Sequence, residues 1–158
     1  MNTETLKVQE LQLKLEKLES LLNIYMHDKL TGLLMRRDFD YKFAEFFENE
    51  EEFYLTLVDV NGLHEINRKN GYDAGDDLIT NVAHKLTIMC DNVVYRIGGD
   101  EFGIFSYIKP CYIKDKNFCM ASTSSKNFKS MRDMFKTTDT KLTELKKELY
   151  KGSKDRRN

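Results

Sequence analysis

Residues 93–107 read VVYRIGGDEFGIFSY. Runs of β-branched and aromatic residues stand on either side of two adjacent glycines, Gly98 and Gly99, which is the pattern of a β-hairpin with a tight turn. We expect positive φ angles at these glycines, because glycine adopts them without steric cost. The acidic pair that follows, Asp100 and Glu101, is therefore predicted to lie in the turn of the hairpin.

A second predicted strand ends at another acid. Residues 53–60 read FYLTLVDV, and this nearly continuous apolar run predicts a central strand that is buried on both faces and ends at Asp59. Carboxylates gathered in a partly dry site are costly unless a cation neutralises them. Oxygen ligands with no His or Cys nearby indicate Mg²⁺ or Mn²⁺. These residues alone leave two alternatives open: a turn or cap role for Asp59, and a plain hairpin turn at 98–101.

Helical spacing of apolar residues predicts the elements between these motifs. Asp38 is expected to cap a short helix. The apolar face of that helix is formed by Phe39, Phe43, Phe46 and Phe47. A short helix between Gly62 and Gly71 precedes a core-facing helix over 73–89. The apolar residues at helical spacing in that second helix are Leu78, Val82, Leu86 and Met89.

The C-terminal part is predicted to add one strand and two helices. The strand is expected at 118–123, and the helices at 128–135 and 142–149, with a cap at Thr138 or Asp139 between them. Together these elements indicate an α/β domain, with a mixed sheet flanked by helices.

The first 27 residues carry the pattern of a two-stranded coiled coil. Apolar residues recur at alternating steps of three and four, at Val8, Leu11, Leu15, Leu18, Leu22 and Tyr25. This seam predicts a dimerising helix. A helix packed on its own domain stays open, because fewer than three heptads are marginal alone. We therefore divide the chain into a helix at 1–27 and a domain at 28–158.

Composition favours a cytoplasmic globular protein with no nucleic-acid polymer and no membrane as partner. The 158 residues, 41% of them hydrophobic, suit one domain plus an appendage. A formal net charge of -1 provides no general attraction for nucleic acid or an anionic membrane. The three cysteines lack metal-type pairing, which is typical of free thiols in a reducing compartment. The sequence contains no apolar run near the ~18 residues of a membrane helix and no recognisable signal peptide.

Three ordered motifs resemble those of the GGDEF family of diguanylate cyclases. Residues 96–102 read RIGGDEF, the family signature in full. Residues 28–37 read DKLTGLLMRR, similar to the family's D-x-LTGL-x-NRR, and residues 57–78 read LVDVNGLHEINRKNGYDAGDDL, with the family's Asp, Asn and Gly-Asp in order. The resemblance implies a palm-like, ferredoxin-like fold of the nucleotidyl-cyclase type. It also implies a coiled-coil signalling helix before the domain and a C-terminal half that is reduced relative to the family.

The resemblance implies roles for individual acids. Asp59 and Asp100 match the family's metal-binding carboxylates, with the main-chain carbonyl of Val60 as a further ligand. Glu101 matches the second signature acid, which reaches a second metal or assists deprotonation. The implied cofactor is Mg²⁺ or Mn²⁺.

The implied substrate is GTP. Asn67 and Asp76 match the pair that reads the guanine edge, and an adenine would leave the Asp76 carboxylate unpaired. Gly98 and Gly99 would let the backbone approach the phosphates. The implied reaction joins two GTP molecules into cyclic di-GMP with release of pyrophosphate. Since one domain binds one GTP, the implied enzyme is a homodimer through its N-terminal helix, with an upstream sensor as a further expected partner.

Several positions depart from the family pattern. His64 stands where the family has a phosphate-contacting lysine, shortly after Asn61 in place of an aspartate. Near the C-terminus Ser153 replaces another lysine, which leaves Lys154 and Arg157 as candidate phosphate contacts. An exposed helix residue and a solvated basic tail are the open alternatives. For the whole chain the alternatives are a GTP-binding regulatory module without turnover and a palm-type synthase of another cyclic nucleotide.

Overall fold

A mixed sheet of five strands forms the centre of the part of the chain that is described, residues 3–49, 51–90, 92–113 and 115–154 of a computed structural model. The strands are β1 (Leu34–Met35), β2 (Tyr54–Val60), β3 (Val94–Arg96), β4 (Glu101–Ser106) and β5 (Phe118–Ser124). The helices are α1 (Thr3–Met26), α2 (Arg36–Glu48), α3 (Leu63–Asn70), α4 (Tyr72–Met89) and α5 (Met131–Lys154), with a 3₁₀ turn at Ser125–Asn127.

The strand order β1-β3-β4-β2-β5 places β2 between two antiparallel neighbours. Its side chains are buried almost throughout, as the apolar run predicts. β3 and β4 form the predicted antiparallel hairpin, and β1 joins β3 in parallel at the far edge. In this register Asp59 lies opposite Glu101 of β4 and opposite Cys119 of β5. The predicted central strand and hairpin are therefore confirmed, and they meet at the acidic residues.

Alternation along β2 decides which helices meet Asp59. Leu55 and Leu57 pack in an apolar cluster with residues of α2 and α5, whereas Val58 and Val60 pack in a second cluster with residues of α4. Successive side chains of a strand point to opposite faces of the sheet. Asp59 therefore belongs to the face that α2 and α5 cover.

The C-terminal helix differs from its prediction. α5 runs unbroken from Met131 to Lys154, where two helices with a cap at Thr138 or Asp139 were expected. Thr138 is fully buried, and its hydroxyl donates to the carbonyl oxygen of Met134 one turn earlier, at 2.8 Å. A hydroxyl that is bonded inside the helix in this way does not cap a new one.

Two further local predictions are wrong. Asp38 lies in the first turn of α2, and the N-cap is Met35, which makes no side-chain cap bond. Gly98 and Gly99 are not among the glycines with positive φ in the described residues, which are Gly32, Gly62 and Gly71. The N–H groups of residues 97 and 98 both donate to the carbonyl oxygen of Glu101, at 2.9 and 3.3 Å. The connection between β3 and β4 comprises four residues, 97–100, and it lacks the two-residue turn that requires positive φ at both positions.

The remaining helices follow the predicted pattern, with small differences at their ends. Phe39, Phe43 and Phe46 are buried on α2. On α4 the buried apolar residues include Ile79, Val82 and Leu86, whereas Met89 is 40% exposed at the helix end, where a core position was expected.

α1 is a helix, as the heptad pattern predicts. The leucines of its apolar seam are exposed in the single chain. Pairing of two such helices, and the division of the chain at residue 27, stay predictions. In the described residues, no helix is both long enough and apolar enough to span a membrane.

Candidate functional site

Three acidic residues meet where β2 ends against the hairpin turn. Asp59 is the cross-strand partner of Glu101, and the backbone N–H of Val60 donates to the carbonyl oxygen of Asp100 at 2.9 Å. The side chain of Asp59 is only 14% exposed, whereas Glu101 is exposed. The structure therefore brings together the acids that the sequence singles out, Asp59, Asp100 and Glu101.

The charges of these acids act on each other. Burial raises the pKa of Asp59, and the charges of Asp100 and Asp139 raise it further, while Lys146 opposes the shift. Burial likewise raises the pKa of Glu101, with added repulsion from Asp59, Asp100 and Asp139, and Arg36 opposes it. Like charges that repel in a partly desolvated place attract a cation.

A cation from the protein already contacts this cluster. The Lys146 ammonium of α5 donates to Oδ1 of Asp59 at 2.5 Å, and its side chain is 25% exposed. Lys146 was not among the site residues predicted from the sequence. The signal that points to it is helical spacing: Lys146 follows buried Leu142 by four residues, on the face of α5 that also holds Thr138 and Met134.

The donor atoms suit a hard divalent cation. The acidic cluster provides carboxylate oxygens together with main-chain oxygens such as that of Val60, and Mg²⁺ and Mn²⁺ prefer such ligands. Among the described residues, however, no three His, Cys, Asp or Glu side chains converge closely enough to hold a metal ion as they stand. Oδ1 of Asp59 instead accepts from Lys146. The residues fit the ion chemically, and the lysine shares one of the oxygens that the ion needs.

The turn between β3 and β4, residues 97–100, is here called the signature turn, and it is anchored to the segment that follows α1. Arg96 donates through Nη1 to Oδ1 of Asp28 at 2.7 Å, and through Nη2 to the carbonyl oxygen of Gly99 at 2.6 Å. Asp28 also accepts from the N–H and hydroxyl of Thr31, at 2.9 and 2.7 Å. Burial opposes ionisation of Asp28, but the bonds from Thr31 and Arg96 outweigh it and hold its pKa below the ordinary value. Two of the sequence motifs are thus joined by one partly buried arginine.

The candidate guanine-reading residues lie at the junction of α3 and α4. Oδ1 of Asn67 is buried and has no hydrogen-bond partner among the described residues. It sits so close to Gly75 that a Cβ there would come within 1.8 Å of it. Asp76, the next residue, is exposed at the same junction. A buried amide oxygen without a partner is costly in the free protein, and it marks a place where a ligand can supply the missing donor.

The other predicted contacts are less defined. His64 lies exposed in the first turn of α3, directly after Gly62 and Leu63. Lys154 ends α5, and its side chain lies outside what the structure describes, as does all of Arg157.

Asn61 has a structural partner in the 116–119 segment. Its N–H donates to the carbonyl oxygen of Asn117 at 2.7 Å, and its side-chain amide donates to that of Lys116 at 3.3 Å. The Cys119 thiol donates to the Asn61 amide oxygen at 3.2 Å. In this arrangement Asn61 fixes the start of β5 beside the acidic cluster.

Comparison with known proteins decides the family. The family model described as "Diguanylate cyclase, GGDEF domain" matches residues 25–111, which is more than half of the chain. The chain belongs to the GGDEF family. That match includes the signature turn, the end of β2, and the junction of α3 and α4.

Relatives of this GGDEF chain match it over only part of their own length. Diguanylate cyclase VdcA of Vibrio cholerae is 29% identical over 108 residues, which cover 67% of this chain and 31% of that protein. Cyclic di-GMP phosphodiesterase PdeB of Shewanella oneidensis is 33% identical over 79 residues, covering 49% of this chain and 9% of that protein. The chain therefore spans less than a third of either relative.

A solved structure shows the same fold. The coiled coil and GGDEF domain of DgcB from Caulobacter crescentus, in complex with c-di-GMP, matches with a TM-score of 0.74 at 20% sequence identity. The match covers 92% of this chain and 91% of that one. The palm-like fold preceded by a helix is thereby confirmed for this chain.

Proposed function

We propose that the chain is a diguanylate cyclase, which condenses two GTP molecules into cyclic di-GMP with release of two pyrophosphates. The observation that carries the proposal is the meeting of Asp59, Asp100 and Glu101 at the end of a buried strand. Burial, together with repulsion from neighbouring acids, raises the pKa of Asp59 and that of Glu101, and such surroundings suit a site that handles cations and phosphates.

The acidic cluster would hold the divalent cation. Asp59, Asp100 and the main-chain carbonyl of Val60 would be its ligands, with Glu101 toward a second ion. When bound, Mg²⁺ or Mn²⁺ neutralises developing negative charge and lowers the pKa of the attacking 3′-hydroxyl. Glu101, whose pKa is raised by burial and by its acidic neighbours, is suited to take up a proton from that hydroxyl.

Asn67 and Asp76 would select guanine. The partnerless amide oxygen of Asn67 supports a bond from a base N–H, and exposed Asp76 can accept from the guanine N1–H and amino group. Adenine offers no matching pair of donors to the carboxylate, so it would leave Asp76 unpaired.

The signature turn would receive the phosphates. A Cβ on Gly99 would meet nothing within 4 Å, so the outer side of the turn is open to a ligand. Arg96 donates a hydrogen bond to the Gly99 carbonyl oxygen, which helps to hold the turn in place. His64, Lys154 and Arg157 are proposed as further phosphate contacts.

Catalysis would need two copies of the chain. One domain presents one acidic cluster, whereas each product molecule contains two guanylates, so two GTP-bearing domains must face each other. The exposed leucine seam of α1 supports pairing through that helix. We place the reaction in the cytoplasm, where GTP is available, with an upstream sensor acting through α1.

The second candidate is a GTP-binding regulatory module without turnover. The ion pair between Lys146 and Asp59 favours it, because a protein cation on Asp59 takes the place that catalysis requires for a metal. This candidate keeps the nucleotide site at α3 and α4 and loses the chemistry.

The test is product identification. Purified protein is incubated with GTP, ATP or both, with Mg²⁺ or Mn²⁺, and products are identified by mass spectrometry. We expect cyclic di-GMP from the wild type and from Asp77→Asn, an exposed acid of α4 outside the cluster. Asp100→Asn should lower product formation by about 100-fold or more, because it removes a proposed metal ligand.

Three other results would contradict the proposal or its mechanism. GTP binding without any product would establish the regulatory module. An adenine-containing product would assign the chain to another cyclic-nucleotide synthase. Equal activity in the wild type and Asp100→Asn would remove the acidic cluster from the mechanism.

A further inference from the structure

Lys146 is held against the acidic cluster by the helix that carries it. α5 is anchored to the sheet through Met134, Thr138 and Leu142, which are at most 5% exposed. One turn after Leu142, the Lys146 side chain reaches Asp59 with only a quarter of its surface exposed. By contrast, the exposed pair Lys69 and Glu65 on α3 has side chains 59% and 56% exposed. Pairs of that exposed kind contribute little, whereas the enclosed pair is shielded from solvent and salt.

The surroundings of Lys146 are strongly acidic. Asp59 receives repulsion from Asp100 and Asp139, and Glu101 receives it from the same two residues. The positive charge of Lys146 also acts on the Cys119 thiol across the Asp59 position. Lys146 therefore supplies, from within the chain, part of the neutralisation that a divalent ion would otherwise provide.

The two cations compete for the same oxygen of Asp59, Oδ1. A carboxylate oxygen that accepts from an ammonium at 2.5 Å has no room to coordinate an ion at about 2.1 Å on the same side. An ammonium and a dication separated by roughly 4 Å also repel each other. The lysine side chain is long and flexible, so it can leave without movement of α5.

We propose that Lys146 is a competing cation, which occupies Asp59 in the metal-free chain and must leave before a divalent ion binds there. This inference rests on the metal site of the proposed function. It assigns to Lys146 control over metal affinity. A chain with the lysine in place binds the ion weakly, and any event that draws the ammonium away opens the site.

The test is Mn²⁺ binding without nucleotide, measured from the electron paramagnetic resonance signal of free Mn²⁺. Lys146→Met keeps the length of the side chain and removes its charge, and we expect it to bind Mn²⁺ about tenfold or more tightly than the wild type. The matched control is Lys147→Met, the same change at the next residue, which is exposed, and it should stay within about twofold. Lys146→Arg keeps the charge and should bind no more tightly than the wild type.

A double variant identifies the ligand. Adding Asp59→Asn to Lys146→Met should remove the gain in affinity, since the released carboxylate is the proposed ligand. Circular dichroism and thermal unfolding check that the variants fold. If Lys146→Met does not fold, a crystal structure of the wild type with Mn²⁺ decides, and the proposal expects the Lys146 ammonium more than 4 Å from Asp59.

Three results would overturn the proposal: unchanged or weaker Mn²⁺ binding by folded Lys146→Met, an equal gain in Lys147→Met, or Mn²⁺ bound while Lys146 still contacts Asp59. Binding is measured without turnover. Failure of the cyclase assay and failure of this inference are therefore separate outcomes.

Discussion

At the scale of single residues, Arg96 links the segment after α1 to the signature turn. Its guanidinium bonds to Asp28, just after α1, and to the Gly99 carbonyl in the signature turn. Its side chain is 13% exposed and that of Asp28 is 22% exposed, so the pair is largely shielded. The position of the signature turn therefore depends on an ion pair between two residues that have no proposed contact with GTP or metal.

Asp28→Asn should destabilise the chain in a pH-dependent manner. The pKa of Asp28 in the folded chain lies below its ordinary value of 3.8, so its charge stabilises the fold above that pH. This contribution is lost as the pH falls through the folded pKa. At pH 7 we expect a loss of about 1.5–3 kcal/mol in the free energy of unfolding, measured with denaturant.

The difference between wild type and Asp28→Asn should shrink as the pH falls below about 4. Glu65→Gln, which alters an exposed pair on α3, should cost less than about 0.5 kcal/mol at either pH. A difference for Asp28→Asn that stays constant with pH would contradict the ionic account.

The acids were predictable at this scale, and their lysine partner was not. Asp59 and Asp100 were predictable because each lies in a motif that resembles the family pattern, at the end of a buried apolar run and directly after two glycines. Lys146 and Lys147 are adjacent and look alike, and only the packing of α5 determines which of them faces the sheet. Once α5 is known to be unbroken, Lys146 is identified as the lysine on the sheet-facing side, because it follows buried Leu142 by four residues.

At the scale of elements, β4 and α2 approach closely at Gly103. A Cβ on Gly103 would lie 2.4 Å from Cε2 of Phe39, a ring that is fully buried. That ring stacks on Phe105 with centroids 4.8 Å apart, so it has little room to move. The absence of a side chain at Gly103 is what lets α2 lie flat on the sheet beside the hairpin.

Gly103→Ala should destabilise the fold by about 1–3 kcal/mol, because the new methyl group overpacks the core. Gly99→Ala is the matched control, since nothing lies within 4 Å of its Cβ position, and it should stay within about 0.5 kcal/mol. Denaturant unfolding measures both.

The same control separates stability from function. Gly99→Ala should lower cyclic di-GMP formation by about tenfold or more if the turn receives phosphates. Full activity in Gly99→Ala would contradict the proposed role of the turn. An unchanged free energy of unfolding in Gly103→Ala would contradict the close packing of β4 and α2.

Secondary-structure elements were predictable where the spacing of apolar residues within the element itself determines its burial. The apolar run of β2 and the phenylalanine spacing of α2 specify their burial directly. The predicted break in α5 was wrong because threonine and aspartate favour caps in general, whereas buried Thr138 bonds within its own helix. The turn at Gly98 and Gly99 was predicted in place but not in conformation, since its backbone bonds run to Glu101.

At the scale of the whole molecule, α1 presents an apolar seam without a partner in the single chain. Leu15 lies on the seam and is 57% exposed, and Leu13, on the opposite side of the heptad, is 67% exposed. A second copy of α1 would bury the seam and leave Leu13 in solvent. Because the helix has fewer than three heptads, pairing should depend on concentration.

Leu15→Asp should shift the chain toward the monomer, and the matched change Leu13→Asp should not. Burial of one leucine contributes about 1.5–3 kcal/mol, so its loss from a two-fold seam should weaken association by about tenfold or more. Sedimentation velocity over a concentration series measures this. Equal effects of the two changes would show that the seam is not the interface.

The most direct test of the account as a whole is the rate of cyclic di-GMP formation per chain, measured with GTP and Mn²⁺ over a range of protein concentrations. We expect this rate to rise with concentration and then level off, Leu15→Asp to shift the curve to higher concentration, and Asp100→Asn to give no rise. A wild-type chain that forms no cyclic di-GMP at any concentration would contradict the cyclase, and a rate per chain that is independent of concentration would contradict a site shared between two copies.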